Sequence, residues 1–412
     1  MKTDKELVYL DLFDDGHHFE HAIHLIRYYI SNYQIFEKKL FICVSDSLAS
    51  RLKENLSECA KDNFPIFIPL TLRQLKFVKY RNRVKNNRYK LLVSNILDIY
   101  VIVYLKIRYN KTHFLINVLN NLVIPLLFLQ IFFWRSRIEG IYFNPLFRSK
   151  YSKSAFVTNR YKISQIIDEA RLFLFSKLKV VQRIFLLGDK TLVRYYNNKY
   201  SSKKFDYVGD PFFIIDTNFK KNTKLIVGKK ISVLCFGALQ VRKGIILIMD
   251  AILNMDESLL RRFHFYFIGK VDKTEREFIY NKRQQVDESG RGESITITDS
   301  FIGYNELVNK ILEHDIIYAG YESYGASSGV LSWAASFYKP IICIKKSLIG
   351  KLAEQCGLAL SMNGYLPKDL ICILQEICET KTIKFSENGI QMFLSENTPD
   401  NFSKTLLKQA LI

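Results

Sequence analysis

Residues 235–253 read CFGALQVRKGIILIMDAIL. An apolar run reaches Gly237, a short loop follows, and Arg242, Lys243 and Gly244 open an apolar pattern of helical period. The spacing predicts a strand over 231–239, a turn, and a helix. Two fixed cations beside a helix N-terminus suit a diphosphate, because backbone N–H groups and side-chain charges act on the same anion. Basic residues are common in loops, so this stretch alone settles nothing.

Outward from it, the second half repeats one grammar. FHFYFIGKV (263–271), ITITDSFIG (295–303), DIIYAGY (315–321), PIICI (340–344) and LALSM (358–362) read as strands, with helical patterns in each gap. The strands are apolar almost throughout, as expected where both faces of a parallel sheet are covered. DIIYAGYESYGASSGVLSWAASFYKPIIC, 315–343, is the second informative segment. A strand runs into a Gly- and Ser-rich loop, and Ser327, Ser328 and Gly329 sit where the capping residues of a following helix belong. Small residues there let an anion approach the exposed N–H groups, although an ordinary serine-capped helix reads the same way. Both loops follow strands of one sheet and are expected to converge.

The first half shows the same alternation: strands at 7–13, 39–45, 64–70, 138–143 and 180–188, with helices between them. The break between halves falls at YVGDPFFIIDTNFKKNTKLIVGKK, 207–230, where Gly209, Asp210 and Pro211 precede a lysine-rich loop. The expected organisation is a domain over 1–210, a linker over 211–229, a second domain over 230–395, and a C-terminal helix, 396–412, that crosses back to the first. Two doubly wound halves place a ligand cleft at the carboxyl ends of their strands.

Among 412 residues, Lys and Arg number 60 and Asp and Glu 40, a net charge of +20. Such a surface attracts polyanions: nucleic acid, anionic lipid or phosphorylated small molecules. The excess is uneven. LRQLKFVKYRNRVKNNRYK, 72–90, carries eight cations with apolar residues interleaved, and no acid occurs between Asp62 and Asp98. It reads either as a solvated basic loop or as a segment resting on an anionic membrane, with Arg81, Arg83, Lys85 and Arg88 as contacts. No helix-turn-helix, zinc-finger or RNA-binding signature accompanies it, which ranks nucleic acid lower. The apolar stretch Phe114 to Trp134 is interrupted by Asn117, Asn120, Asn121, Pro125 and Gln130, so a buried helix leading into a core strand is favoured over a membrane span. The N-terminus lacks an apolar leader, and the seven cysteines show no CxxC spacing. Together these lead us to expect a cytoplasmic protein with reduced thiols.

FGALQVRKG and GASSGVLSWAASFYKPII, with FIGYNELVNKILEHDIIYAGY between them, resemble the donor-binding half of retaining glycosyltransferases of the GT-B fold, most closely glycosyltransferase family four. The strand before DDGHHFEHAIHLI resembles the glycine-histidine turn near the N-terminus of these enzymes, and YVGDP the segment before their interdomain linker. The likeness is good over about 231–365 and thin in the first half. It implies two Rossmann-like α/β domains, the first on the acceptor side and the second binding a nucleoside diphosphate sugar. It also implies hexosyl transfer to a glycan or lipid-linked acceptor, as in polysaccharide synthesis at the inner membrane face, with retention and without metal or other cofactor. Gly16, Arg242, Lys243, Ser327, Ser328 and Gly329 are the implied diphosphate contacts. The departures are specific. Ala238 stands where the family places an arginine, and Gly325 and Trp333 stand at its two glutamate positions. Glu322 is the nearest carboxylate. These gaps keep two rivals in view: a nucleotide-sugar epimerase or hydrolase of the same fold, and a non-catalytic nucleotide-binding subunit.

DDGHHFEHAIH, 14–24, holds four of the seven histidines. His17 and His21 are spaced i, i+4, and His24 follows on the same face, a geometry that zinc accepts. No third ligand of suitable spacing lies beyond the crowded Asp14 and Asp15, so no metal is expected. His21 and His24 are read as exposed or half-buried helix residues. His17 and His18, in the turn after the first strand, are candidates to hold donor or acceptor or to donate to a leaving phosphate, and Glu322 is the third catalytic candidate.

Overall fold

A computed structural model describes residues 6–13, 18–57, 63–84, 87–120, 122–129, 132–133, 135–143, 145, 159–212, 230–322, 329–379 and 385–411. They fall into two compact units. The first draws on Met1–Pro145, Ile163–Phe213 and Glu396–Ile412, the second mainly on Ile214–Ser395.

The first unit is a seven-stranded parallel sheet of β1 (Glu6–Asp11), β2 (Lys39–Val44), β3 (Ile66–Phe67), β4 (His113–Ile116), β5 (Arg137–Tyr142), β6 (Val181–Leu187) and β7 (Phe205–Val208). The strand order is β3-β2-β1-β4-β5-β6-β7. The order reverses between β1 and β4, and open α/β sheets form a ligand crevice at that reversal. Helices α1 (His18–Ser31) and α2 (Asp46–Asn55) cover one face with Ala22, Leu25, Ile26, Leu48 and Leu52. Two more helices, α3 (Leu72–Arg83) and α4 (Asn87–Tyr109), pack on each other; α5 (Val123–Leu129), α6 (Asn159–Lys177) and α7 (Lys190–Tyr200) follow.

The second unit is a six-stranded parallel sheet, β10-β9-β8-β11-β12-β13. It contains β8 (Ile231–Phe236), β9 (Phe263–Ile268), β10 (Ile295–Thr298), β11 (Ile316–Ala319), β12 (Ile341–Ile344) and β13 (Ala359–Met362). Its reversal lies between β8 and β11. The helices are α8 (Ile245–Asn254), α9 (Glu257–Leu260), α10 (Arg276–Glu288), α11 (Tyr304–Glu313), α12 (Gly329–Ser336), α13 (Leu348–Gln355), α14 (Pro367–Glu379) and α15 (Glu387–Glu396). The apolar run of β8, Val233 to Phe236, now has its reason. Val233 and Cys235 join the core layer of α8, α10 and α14, while Leu234 and Phe236 join the opposite layer with α12, α13 and α15.

The last helix, α16 (Pro399–Leu411), returns to the first unit. Phe402, Leu406 and Leu407 are buried among α1 residues. Asn397 fixes the entry of this segment: its side chain accepts from the Asp210 N–H at 2.8 Å and its carbonyl from the Phe212 N–H at 2.8 Å. A Cβ at Gly209 would stand 2.3 Å from the Glu396 carbonyl oxygen, so the YVGDP segment needs glycine there for close backbone approach.

Several expectations change. The described part of the basic stretch 72–90 is mostly helical; α3 runs to Arg83, α4 begins at Asn87, and Thr71 and Gln74 form a capping box at the start of α3. The stretch from Phe114 begins as a strand, because Phe114 to Ile116 pair with both β1 and β5, and α5 comes after it. That strand and β7 were missed, each being only four residues long. Among the described residues no helix is long and apolar enough to cross a membrane.

Candidate functional site

In the second unit the reversal is built by two loops. After β8 the chain turns at Gly237, passes through a 3-10 turn at Val241–Lys243, and enters α8 through Gly244. Gly244 is left-handed, with φ of 86°. A Cβ there would lie 2.5 Å from the Tyr318 hydroxyl and 2.8 Å from the Gly320 carbonyl oxygen. The glycine of the RKG motif therefore lets the helix start abut the end of β11. Gly244→Ala is expected to destabilise the fold by about 2–4 kcal/mol, combining left-handed strain with overpacking, as chemical denaturation would read.

The two cations of the motif behave differently. Lys243 turns inward and is 8% exposed. Its Nζ donates to the Phe236 carbonyl at the end of β8, 3.1 Å away, and lies 5.7 Å over the Tyr321 ring. Burial holds its amine below the usual lysine range, and neighbouring Arg242 adds to that. A buried ammonium at a strand end, resting on one carbonyl, is a charge that an anion would stabilise. Arg242 is exposed; its Nε donates to Gln240 Oε1 at 2.8 Å, and its carbonyl accepts from the Glu322 N–H at 2.8 Å. That last bond ties the loop after β8 to the loop after β11. Glu322 is half-buried and Gly329, which opens α12, is exposed. Ser327 and Ser328 lie outside the described residues. Trp333, at one of the family's glutamate positions, stacks on Phe337 with centroids 6.0 Å apart.

In the first unit the reversal holds a buried polar array. Asp11 ends β1 and Asn117 follows β4 directly. The Asp11 carboxylate accepts from His18 Nδ1 at 2.8 Å, Asn117 Nδ2 at 2.6 Å, the Phe13 N–H at 3.2 Å and, more weakly, the Tyr9 hydroxyl at 3.5 Å. A carboxylate and an amide oxygen accept only, so the remaining directions follow. His21 Nδ1 donates to Asn117 Oδ1 at 3.1 Å, and His18 carries its proton on Nδ1 toward Asp11. His18 stacks on Phe13, centroids 5.1 Å apart, with its side chain 18% exposed. Gly16 and His17 lie outside the described residues.

Two histidine expectations are corrected. His21 and His24 are buried, 1% and 5% exposed, because α1 is covered by α16 as well as by the sheet. His21 stacks on Phe143 and packs on Phe402. Among the described residues no three His, Cys, Asp or Glu side chains group as metal ligands. Arg81, expected on a membrane face, is also buried, at 1% exposed. Its guanidinium lies 4.6 Å over the Phe13 ring and donates to Asn82 Oδ1 at 3.0 Å. Arg83 is exposed; Lys85 lies outside the described residues, and so does the side chain of Arg88.

Asp98 of α4 is buried in the same region. Burial pushes its carboxyl up to about 7, with Arg81 pulling the other way and Asp11 adding to the rise. The native state then binds a proton that the unfolded chain releases near pH 4, so this contribution is full below pH 4 and lost as pH rises through 7. His24 has the opposite sign: burial lowers it to about 4, so its contribution is full above 6.5 and lost as pH falls. The two offset each other in the wild type, and only a difference reads either. Relative to wild type, Asp98→Asn should gain about 2–3 kcal/mol of stability between pH 5 and pH 8, measured by urea unfolding at each pH.

No protein-family model and no curated protein matches the sequence. Solved structures do. HepE of Anabaena in complex with UDP is 12% identical over 98% of this chain and 99% of its own, with a TM-score of 0.63. A glycosyltransferase from Rickettsia africae is 11% identical over 100% and 98%, TM-score 0.59. WaaG, a glycosyltransferase involved in lipopolysaccharide biosynthesis, is 13% identical over 98% of each chain, TM-score 0.53. The fold is GT-B. At such identities the likeness is one of fold alone.

Within this GT-B chain, sequence reasoning missed Asp11 and Asn117. The available signal was a polar residue ending an apolar strand, LVYLD and FLIN, at the two strands that flank the reversal. It could not be used while β4 itself was unread.

Proposed function

We propose that this chain is a glycosyltransferase that moves a hexose-type sugar from a nucleoside diphosphate sugar to an acceptor hydroxyl. The observation that carries the reading is Lys243, a buried ammonium at the carboxyl end of β8, beside a loop tied to the one after β11. Lys243, with Arg242 and the α12 start at Gly329 and its preceding serines, would neutralise charge growing on the departing diphosphate, usually the largest catalytic term. The solved HepE complexes hold UDP and UDP-glucose, which makes uridine nucleotides the first donors to try. The acceptor is proposed to be a glycan or lipid-linked hydroxyl at an inner membrane face, with the enzyme cytoplasmic and peripheral. Retention without metal is the course the family resemblance suggests.

The Asp11–His18 pair favours a second reading of the stereochemistry. A carboxylate that fixes a proton on Nδ1 puts the imidazole lone pair on Nε2, the tautomer a general base needs, which suits a single displacement with inversion. Proton NMR of the fresh product gives the anomer and separates the two courses. The function itself is tested by thermal shift with uridine, guanosine and adenosine diphosphates and their sugars, with and without chelator, followed by turnover assays. At a hundredfold excess over Kd a true ligand stabilises by about 2.7 kcal/mol. No shift with any nucleotide refutes the proposal, and binding without turnover leaves only a nucleotide-binding subunit.

A further inference from the structure

The α3–α4 pair exposes an apolar face edged by basic residues. On α3, Leu72, Phe77 and Tyr80 are exposed beside Arg73, Lys76, Lys79 and Arg83, all exposed as well. The opposite side of the same helix is buried through Gln74, Val78 and Arg81. On α4, Ile96, Tyr100 and Ile107 are exposed at spacings of four and seven, one stripe of the helix, while Leu97, Val101, Ile102 and Leu105 are buried. Where the two helices meet, the Phe77 and Tyr100 rings stand 6.3 Å apart. A groove of about 490 Å³ opens there, walled by Phe77, Ile96, Leu97 and Tyr100 and edged by Arg73 and Lys76.

The charge of the α3–α4 segment is one-sided. From residue 63 to 109 the chain carries ten Lys and Arg and only one acid, Asp98. Asp98 is buried, 7% exposed, so this length presents no carboxylate to an approaching anion. An apolar slot with cations at its edge matches a molecule that is hydrocarbon at one end and phosphate at the other. Nucleic acid shares the phosphate, and Phe77 and Tyr100 would give its bases a stacking surface, but aliphatic Leu72, Ile96, Leu97 and Ile107 widen the apolar area beyond what stacking uses, which favours hydrocarbon.

We infer that the α3–α4 groove binds an anionic phospholipid, its acyl chain against Phe77, Ile96, Leu97 and Tyr100 and its phosphate against Arg73 and Lys76. The α3 and α4 stripes then lie in the interface plane, as amphipathic helices do. This deepens the membrane part of the proposed function and rests on it. It also moves the docking surface from Arg81, which is buried, to the exposed face of α3 at Arg73, Lys76 and Phe77.

The test is co-sedimentation of the full chain with vesicles of phosphatidylcholine alone and with about one-third phosphatidylglycerol. Each cation near the surface multiplies partitioning by about five. Arg73→Gln with Lys76→Gln should therefore weaken binding to anionic vesicles roughly twenty-fold, and added salt should shrink that difference. Phe77→Asn with Ile96→Asn keeps every charge and should weaken binding at least ten-fold at any salt. Glycerol 1-phosphate should not compete, whereas monomeric short-chain phosphatidylglycerol should. The apolar pair of substitutions leaving vesicle binding unchanged overturns the inference. So does equal binding to neutral vesicles, tighter binding to single-stranded oligonucleotide, or a dimer in sedimentation equilibrium that the apolar variant dissolves. Thermal unfolding of each variant in uridine diphosphate confirms that it is folded. Turnover with a soluble acceptor is measured separately. Vesicle binding without turnover refutes the enzyme reading and supports the groove; turnover without vesicle binding does the reverse.

Discussion

Lys243→Ala is expected to lower turnover by about 10²–10³, the loss that follows deletion of one preorganised electrostatic stabiliser. The structure sharpens the reason. The ammonium is already desolvated, with its Nζ held at the end of β8 by the Phe236 carbonyl, so nothing need move when charge develops nearby. A charge in that setting does more for a forming anion than the same charge on an exposed loop. Affinity for a nucleoside diphosphate should fall as well, and affinity for the bare nucleoside should hardly change. Arg242 provides the internal control. It is exposed, with its Nε engaged by Gln240, so Arg242→Ala should cost less than Lys243→Ala in both turnover and diphosphate affinity. Calorimetric titration of each variant with nucleoside and with nucleoside diphosphate makes the comparison. If Lys243→Ala binds both ligands like wild type, the buried amine serves packing alone and the donor site must be sought elsewhere.

How much of this was legible in the sequence depends on how local each signal is. The second unit could be read well because its strands are buried on both faces and separated by clear helical patterns, and Gly237 and Gly244 mark the turns between them. The inward course of Lys243 against the outward course of Arg242 was not legible. Adjacent residues in a tight turn diverge by backbone angles that composition does not encode. In the first unit β4 and β7 escaped because four residues, HFLI and FDYV, are too few to show a period of their own. The burial of Arg81 escaped for a related reason. A run of cations suggests a solvated face, yet one of every three or four positions on a packed helix must point inward, and here it meets Phe13 and Asp98. His21 and His24 looked exposed because the helix that covers them, α16, lies almost four hundred residues away in sequence.

The Asp11–His18 pair yields the other large expected effect. His18→Ala should lower kcat by about 10²–10⁴, the range of a positioned proton-transfer group. The loss should appear in kcat more than in KM, because a proton is transferred only as the acceptor bond forms. Asp11→Asn separates positioning from bulk. It keeps the shape of the site but replaces an acceptor-only carboxylate with an amide, so the imidazole is no longer obliged to carry its proton on Nδ1. Its kcat should fall nearly as far as that of His18→Ala, and combining the two should add little, since both break one unit. Asn117→Ala gives an intermediate case: Asp11 keeps three of its four donors but loses the 2.6 Å bond that ties it to the end of β4. A purely structural role for the array predicts something else. His18→Gln would then lose stability together with activity and leave the shape of the pH–rate profile unchanged. The catalytic role requires the opposite, a variant that stays folded and loses one limb of that profile. Measuring kcat against pH for wild type, His18→Gln and Asp11→Asn, alongside urea unfolding of each, decides between them. An unaltered profile with reduced stability would assign His18 to the scaffold of the first unit.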